Sequence, residues 1–411
     1  MDSNSPNDSV YVHKLTLSRH PFIKDVCIDT HQEKKHIIIT GQNGVGKSTF
    51  LGQIKSAIVY SKLQFTKISI DNRRSRYFKV LDAATAEKDK FKRKVLEKEL
   101  ELELDNVNRY SSFCDLEYDS QKAIDLLKGD AAIQAFFNAK RTTKVENVES
   151  VRTAEIESTH VDQPLSHRFK QHLVNSRSQL AFARDDGDES EAENLNVWFI
   201  KLDEFMSDIF ECPIKLRFDR KALDYKIESK DGTLLDFNHL SEGYAAIINI
   251  VTEIIMRMEV IEHGNFTLPG IVMIDEIETH LHVKLQKKIM RLLTTFFPNI
   301  QFIVTTHSPF VLTSLDDAVV FDMETNSQID SKEDLWQFSF EDIIEGYFDT
   351  ETHSLALESK IERYEQLSSK DADTLAPKEN KELLLLKNEL KDVPTFKLAD
   401  IELRLQALGL K

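Results

Sequence analysis

Three cysteines in 411 residues are too few for a disulfide framework. Cys27, Cys114 and Cys212 lie far apart, and no C-x-x-C pair offers a zinc site. This usage fits a reducing compartment and small buried side chains. No stretch approaches the roughly 18 apolar residues that a membrane span needs. The first residues, Met1 to Ser9, are polar and carry Pro6, unlike a secretory signal. These absences predict a cytoplasmic protein with no membrane partner. Positive charge is also in deficit, with 53 Lys+Arg against 69 Asp+Glu and a net charge of −16. Such a chain does not coat nucleic acid through its overall field. Two local basic clusters remain, Arg73-Arg74-Ser75-Arg76 and Lys140-Arg141-Thr142-Thr143-Lys144. They read as solvated or nucleotide-facing surface, the alternative being a basic groove completed only in a dimer or complex. A long heptad array is missing too, which excludes an extended coiled coil.

What is present centres on Gly41-Gln42-Asn43-Gly44-Val45-Gly46-Lys47-Ser48-Thr49. An apolar run, His36 to Thr40, precedes it, and an amphipathic run, Phe50 to Tyr60, follows. Strand, glycine-rich loop and helix in that order turn a G-x-x-x-x-G-K-[ST] match into a phosphate site. Glycines let the backbone bend around a polyphosphate and bring several N–H groups close to it. The helix start adds free N–H groups and a positive dipole end. Lys47 supplies a point charge for the β- and γ-phosphates of ATP, and the Ser48 hydroxyl suits one Mg²⁺ position. The bland alternative is a turn before an ordinary helix.

Along the chain, Val10 to Leu17 alternates as a strand and Phe22 to Ile28 suggests another. Leu81 to about Val107 is rich in helix formers of mixed charge, which predicts an exposed helix or a short antiparallel arm. Ala132 to Ala139 reads as a buried strand or a helix turn, and periodicity leaves both open. Residues 145–164 lack a period and read as loop. His167 to Phe182 and Glu191 to Phe210 read as helices separated by an acidic break. Pro213 to Phe218 and Leu223 to Ile227 alternate as a strand pair before the turn at Asp231-Gly232. The predicted organisation is α/β. Residues 1–60 and 236–330 form two parts of one ATPase core, 61–235 a mainly helical insertion with returning strands, and 331–411 a helical C-terminal region.

Three further motifs carry chemistry. Ser241 stands at an N-cap position before the apolar helix Ala245 to Met258, with Gly243 in its first turn. A helix start with a hydroxyl and a glycine is also what a second γ-phosphate contact needs. Gly270 to Glu278 is an apolar strand ending in paired acids. Carboxylates there lie where open α/β sheets bind ligands. Asp275 is the Mg²⁺ residue, directly or through water, and Glu276 the polariser of the attacking water. His280 and His282 look like a metal pair but lack a third ligand, so they read as ordinary surface histidines. Ile300 to Thr306 is another buried strand, ending in His307-Ser308-Pro309. Ser308 and Pro309 suit an N-cap and first helical position. His307 then stands at the strand tip as a γ-phosphate sensor.

The four motifs in this order resemble the ABC-ATPase superfamily in its RecF, SMC and OLD branch. Ile274-Asp275-Glu276-Ile277-Glu278-Thr279-His280-Leu281-His282, followed by Gln301 to Pro309, looks especially like the AAA-family ATPases of bacterial antiphage systems, the PtuA-like subunits of Septu and retron-linked systems. Residues 10–60 and 235–325 carry the resemblance. It implies an ABC-ATPase head, a mixed sheet with a P-loop core. It further implies ATP held between two heads of a homodimer or higher oligomer. Gly41, Asn43, Gly44, Val45, Gly46, Lys47, Ser48 and Thr49 of one head would face Ser241 and Gly243 of the other, with Glu276 and His307 completing hydrolysis. Glu242 and Tyr244 replace the commoner Gly and Gln of the signature segment. Glu278 to Leu281 corresponds to the D-loop, and Gln64 and Gln121 are weak candidates for the Q-loop glutamine. OLD-branch relatives carry a Toprim nuclease after the ATPase. Here Phe338 to Lys411 reads as helix without the β/α alternation that would bear a D-x-D, so nuclease action and nucleic-acid contact would come through a partner effector. The alternative is a repair or chromosome-maintenance ATPase that grips nucleic acid itself; a transporter ATPase ranks third.

Overall fold

The computed structural model describes residues 9–62, 67–141, 145–148, 150, 161, 163–330, 355–370, 376–391 and 408. Its contacts divide the chain into two units, 1–338 and 339–411. In chain order the first unit runs β1 (Val12–Leu17), β2 (Val26–Asp29), β3 (His36–Thr40), α1 (Lys47–Lys62), α2 (Lys67–Ala86), α3 (Lys90–Tyr110), β4 (Cys114–Tyr118), α4 (Gln121–Lys128) and β5 (Ile133–Phe137). It continues with α5 (Phe169–Asp186), α6 (Glu189–Phe210), β6 (Ile214–Asp219), β7 (Asp224–Ser229), β8 (Leu234–Leu235) and α7 (Glu242–Ile261). It closes with β9 (Gly270–Ile274), α8 (Val283–Gln286), α9 (Ile289–Phe296), β10 (Ile300–Thr305), α10 (Pro309–Leu312), β11 (Ala318–Asp322) and β12 (Ser327–Asp330).

The architecture is α/β. A six-stranded sheet has the order β12-β11-β3-β10-β9-β5. All its pairings are parallel except that of the edge strand β12 with β11. Every residue of β3, β9, β10 and β11 is buried. A parallel strand covered on both faces needs such a continuous apolar run. Ile37, Ile39, Ile271, Met273, Ile303, Val319 and Phe321 share one core cluster with Phe50, Leu51, Ile54 and Ile58 of α1. The helix after the glycine-rich loop therefore packs directly on the sheet that carries the other motifs.

An antiparallel sheet, β2-β1-β4, lies beside the first. Gln301, fully buried in β10, stitches the two together. Its amide oxygen accepts from Val12 N at 2.8 Å, and its amide nitrogen donates to Val12 O at 3.0 Å and Lys35 O at 2.9 Å. The strand expected from Phe22 begins only at Val26, because Phe22 N turns back to donate to His20 Nδ1 and the Phe22 ring is exposed. The charged stretch around residue 90 is an antiparallel arm, α2 against α3, broken where Asp89 caps α3 by accepting from Phe91 N and Lys92 N. Its arginines are bonded within the chain: Arg74 to Asp115 and to the Ser112 and Cys114 carbonyls, Arg73 to the Tyr110 carbonyl, Arg76 to Glu103. They are structural pins rather than an open basic groove.

Ala132 to Ala139 is a strand: β5 is the sheet's edge beside β9. Both β4 and β5 belong to core sheets although they lie inside 61–235, so the stretch that reads as an insertion is interleaved with the core. The acidic break is Gly187, left-handed at φ 75°, which ends α5 before Asp188 caps α6. β6, β7 and β8 form a separate antiparallel meander. Of residues 145–164, those described, such as 145–148, carry no regular element. In the second unit, α11 (Leu355–Ser368) and α12 (Pro377–Lys391) bury Ile361, Tyr364, Leu367, Leu386 and Leu390. Ion pairs Arg363–Glu382 and Lys370–Glu379 set them antiparallel.

Candidate nucleotide site

β3, β9 and β10 are parallel neighbours, so their carboxyl ends open on one edge, the usual ligand edge of an α/β sheet. The loop after β3 turns on Gly41, Gly44 and Gly46 at φ 134°, 84° and 104°, conformations that side chains resist. Asn43, Gly44, Ser48 and Thr49 are exposed, while Val45 packs partly into the core. Lys47 is the first residue of α1 and is buried. Its ammonium donates to Gly41 O at 2.8 Å and Gln42 O at 2.9 Å. Burial lowers its pKa, against the opposing pull of the carboxylates Glu278, Glu276, Asp275 and Asp322.

Asp275 follows β9 and is buried. Its Oδ1 accepts from Ser48 Oγ at 3.1 Å and from Thr305 Oγ1 at 2.6 Å. Two adjacent ligands of an octahedral Mg²⁺ at 2.0–2.1 Å stand about 3.0 Å apart. The Ser48–Asp275 pair has that spacing, and both donors are the hard oxygens this ion prefers, so the residues fit it.

Glu276 is left-handed at φ 45°, a conformation that costs a non-glycine residue about 1–3 kcal/mol. The surroundings over-determine it. Its N–H donates to Thr305 Oγ1 at 2.7 Å, and its Oε2 accepts from Thr279 Oγ1 at 3.2 Å. The buried Arg141 guanidinium then donates to the carbonyls of Asp275, Glu276 and Ile277 at 3.0, 2.7 and 3.3 Å. Burial lowers the Arg141 pKa to about 10, against the stabilising field of Glu278, Asp275 and Glu276, so it stays charged at neutral pH. This residue grips the backbone under the acids instead of facing a nucleotide.

His307 follows β10, and its Nδ1 lies 3.4 Å from Lys47 Nζ. An ammonium has no acceptor, so this contact requires a neutral imidazole with its proton on Nε2. Burial lowers the His307 pKa, Lys47 lowers it further, and Glu278, Glu276 and Asp275 oppose them. The Glu278 carboxylate fixes the turn, accepting from Thr306 Oγ1 at 2.7 Å and His307 N at 2.5 Å. Ser308 caps the short α10, accepting from Phe310 N, and donates to Gln286 at 2.7 Å.

Lys47, Ser48, Asp275, Glu276 and His307 thus share one edge of one sheet. Ser241 and Gly243 are placed differently. They open α7 against the segment after the acids, where a Cβ on Gly243 would stand 2.9 Å from His280 O. Ser241 is exposed, and although it has N-cap backbone angles its hydroxyl makes no cap bond. His280 pairs with Glu242 at 3.3 Å and His282 caps α8. Gln121 is exposed and bonded to Asp125, and Gln64 lies outside the described residues.

Comparison with known proteins identifies the lineage. The AAA_21 family, described as "AAA domain, putative AbiEii toxin, Type IV TA system", matches residues 61–313, more than half of the chain. The chain belongs to this family. The match opens after the glycine-rich loop and includes Arg141, the paired acids and His307. The "Retron Vc95 probable ATPase" of Vibrio cholerae serotype O1 biovar El Tor is 44% identical over 90 residues, 21% of this chain and 17% of that protein. The "Septu protein PtuA" of Bacillus mycoides (strain KBAB4) is 47% identical over 81 residues, 20% of this chain and 11% of that protein. These matched stretches are thus less than a fifth of either relative's length. Among solved structures, the SMC head domain from Thermotoga maritima aligns over 76% of this chain and 94% of its own, at 13% identity and TM-score 0.36. Membership of AAA_21, with retron and Septu relatives, agrees with the resemblance read from the motifs. Among the described residues no helix is long and apolar enough to cross a membrane.

Sequence reasoning missed three parts of this site. Arg141 stood in a basic cluster whose partner is backbone, which leaves no trace in residue pattern. Glu278 read only as part of a loop, although its place two residues beyond the paired acids carried the signal. Thr305 read as strand end, yet its hydroxyl holds both Asp275 and the Glu276 amide.

Proposed function

We propose that this AAA_21 protein binds and hydrolyses ATP with Mg²⁺, closes into a dimer around the nucleotide, and thereby regulates a partner effector in antiphage defence. The observation that carries the ATPase reading is the meeting of Lys47, Ser48, Asp275 and His307 at one strand edge, with Glu276 beside them. The glycine-loop N–H groups and Lys47 take the triphosphate, Lys47 exchanging its two loop carbonyls for phosphate oxygens. Ser48 and Asp275 would hold the ion, which would supply positive charge against the phosphates. Glu276 accepts a proton from the attacking water. His307, neutral, donates from Nε2 to the γ-phosphate.

Support for the dimer is the exposed Ser241, whose hydroxyl makes no cap bond, beside Gly243 at the start of the long helix α7. That pair would cap a γ-phosphate held by a second chain, so that ATP stabilises only the closed state. The defence role rests on the likeness to the retron and Septu proteins, and the effector is proposed to be a nuclease subunit supplied by another chain.

Two variants test this. Lys47→Ala should lose ATP binding in an equilibrium binding assay. Glu276→Gln should bind ATP, run as a dimer in size-exclusion chromatography with ATP, and release phosphate at least about 10²-fold more slowly. A Glu276→Gln protein with normal turnover would remove the assigned role. Strong, salt-dependent DNA binding by the isolated chain would favour the repair-type alternative.

A further inference from the structure

Three side chains converge where α5 meets the end of α7. His172 comes from α5, Glu259 from the last turns of α7, and His263 from the connection to β9. One ligand atom of each lies within 4.8 Å of the others. Glu259 is almost fully buried, and its two oxygens are divided between two tasks. Oε1 accepts from Trp198 Nε1 at 3.0 Å and Gly264 N at 3.2 Å, which pins the carboxylate. Oε2 faces both imidazoles, 3.5 Å from His172 Nε2 and in direct contact with His263 Nδ1.

The geometry points to a divalent-cation site of Zn²⁺ type, with His172 Nε2, Glu259 Oε2 and His263 Nδ1 as its protein ligands. Tetrahedral Zn²⁺ with bonds near 2.0–2.1 Å sets its ligands about 3.3 Å apart. The His172–Glu259 spacing, 3.5 Å, is close to that value, and binding would need His263 Nδ1 to draw back from Glu259 Oε2. Two imidazoles and one carboxylate are a zinc donor set, whereas Mg²⁺ and Ca²⁺ prefer oxygen alone. Trp198 and Gly264 supply the outer hydrogen bonds that orient a ligating carboxylate. A cavity of about 270 Å³, lined by Trp198, His263 and Gly264 among others, opens beside His263. It provides an entry path and room for water as fourth ligand. The bound ion clamps α5 to the carboxyl end of α7, the helix whose other end carries Ser241 and Gly243. Nothing in this site requires nucleotide binding, so it stands whether or not the ATPase reading does.

The test uses the full chain, stripped with chelator and gel-filtered. Zn²⁺ alone is then added, excess is removed, and retained metal is measured by elemental mass spectrometry. The expected result is one ion per chain, with a higher Tm than the stripped protein. Co²⁺ in its place should give the intense visible bands of a four-coordinate ion and quench Trp198 emission in a Trp336→Phe background. His263→Gln, at a half-exposed position, should fold normally but lose at least about 10-fold in zinc affinity and the zinc-dependent Tm rise. A stripped wild type that retains no zinc overturns the inference, leaving a hydrogen-bonded His–Glu–His network only. So does a His263→Gln protein that binds Zn²⁺ as tightly as wild type. Should His263→Gln fail to fold, the Co²⁺ bands and Trp198 quenching of the wild type decide alone.

Discussion

Arg141→Met keeps the aliphatic bulk of the side chain and removes every N–H that holds the backbone beneath the paired acids. Three carbonyls, of Asp275, Glu276 and Ile277, lose their shared charged donor. Each hydrogen bond to a charged group contributes about 1.5–3 kcal/mol. The three share one guanidinium and do not add. Leaving a buried carbonyl without its donor costs about 1–3 kcal/mol, so about 3–5 kcal/mol for the three together is the expected loss. The unit that contains the site has 338 residues. At about 2.1 cal/mol/K per residue its unfolding entropy is about 0.7 kcal/mol/K, so the loss lowers Tm by about 4–7 °C. Activity should fall further than stability does. The left-handed Glu276 is held in place largely by these bonds, and a displacement of about 1 Å at a reacting group costs on the order of 10²-fold in rate. Arg141→Lys should rescue little, because a single ammonium on a shorter-reaching, unforked side chain cannot span three carbonyls. The assays are a thermal melt and steady-state phosphate release. An Arg141→Met protein that melts within about 1 °C of wild type and turns over ATP normally would refute the reasoning, since surface substitutions alone move stability by about 0.5 kcal/mol.

Other outcomes follow from the same coordinates. His36 is buried in β3, accepts from Phe302 N, and has its pKa lowered by burial to about 4. The folded state holds it neutral while the unfolded chain protonates it near pH 6.5. Its contribution is therefore full above pH 6.5 and lost as pH falls from there through 4, by about 3 kcal/mol in all. Urea midpoints at pH 7 and 4.5 should fall less in His36→Gln than in wild type. Gly270 opens β9 opposite Ile133, and a Cβ there would stand 2.5 Å from the Ile133 carbonyl oxygen. Gly270→Ala should cost about 1–3 kcal/mol in a urea melt by pushing β5 off the sheet edge. An unchanged midpoint would mean that β5 is not held where the register puts it. The Lys47, Glu276 and His263 variants complete the set.

Local pattern was enough for the elements that hold the glycine-rich loop and the paired acids. An apolar strand buried on both faces, a glycine loop and a helix are each encoded in adjacent residues, and motif chemistry follows from their order. Lys47, Ser48, Asp275, Glu276 and His307 were legible for that reason. Contacts between distant segments were not. Whether Ala132 to Ala139 was strand or helix depended on the free edge of β9, which no window of eight residues contains. Gln301 reads as a polar residue in an apolar strand until β1 arrives to take its amide. Arg141 binds carbonyl groups, and backbone has no sequence identity to be read. The His172–Glu259–His263 cluster needed the helix crossing of α5 and α7, a matter of packing at a distance of some ninety residues along the chain. Short-range periodicity determined which groups exist and on which elements. Only tertiary packing, by choosing which edges and helix faces meet, decided which of those groups touch.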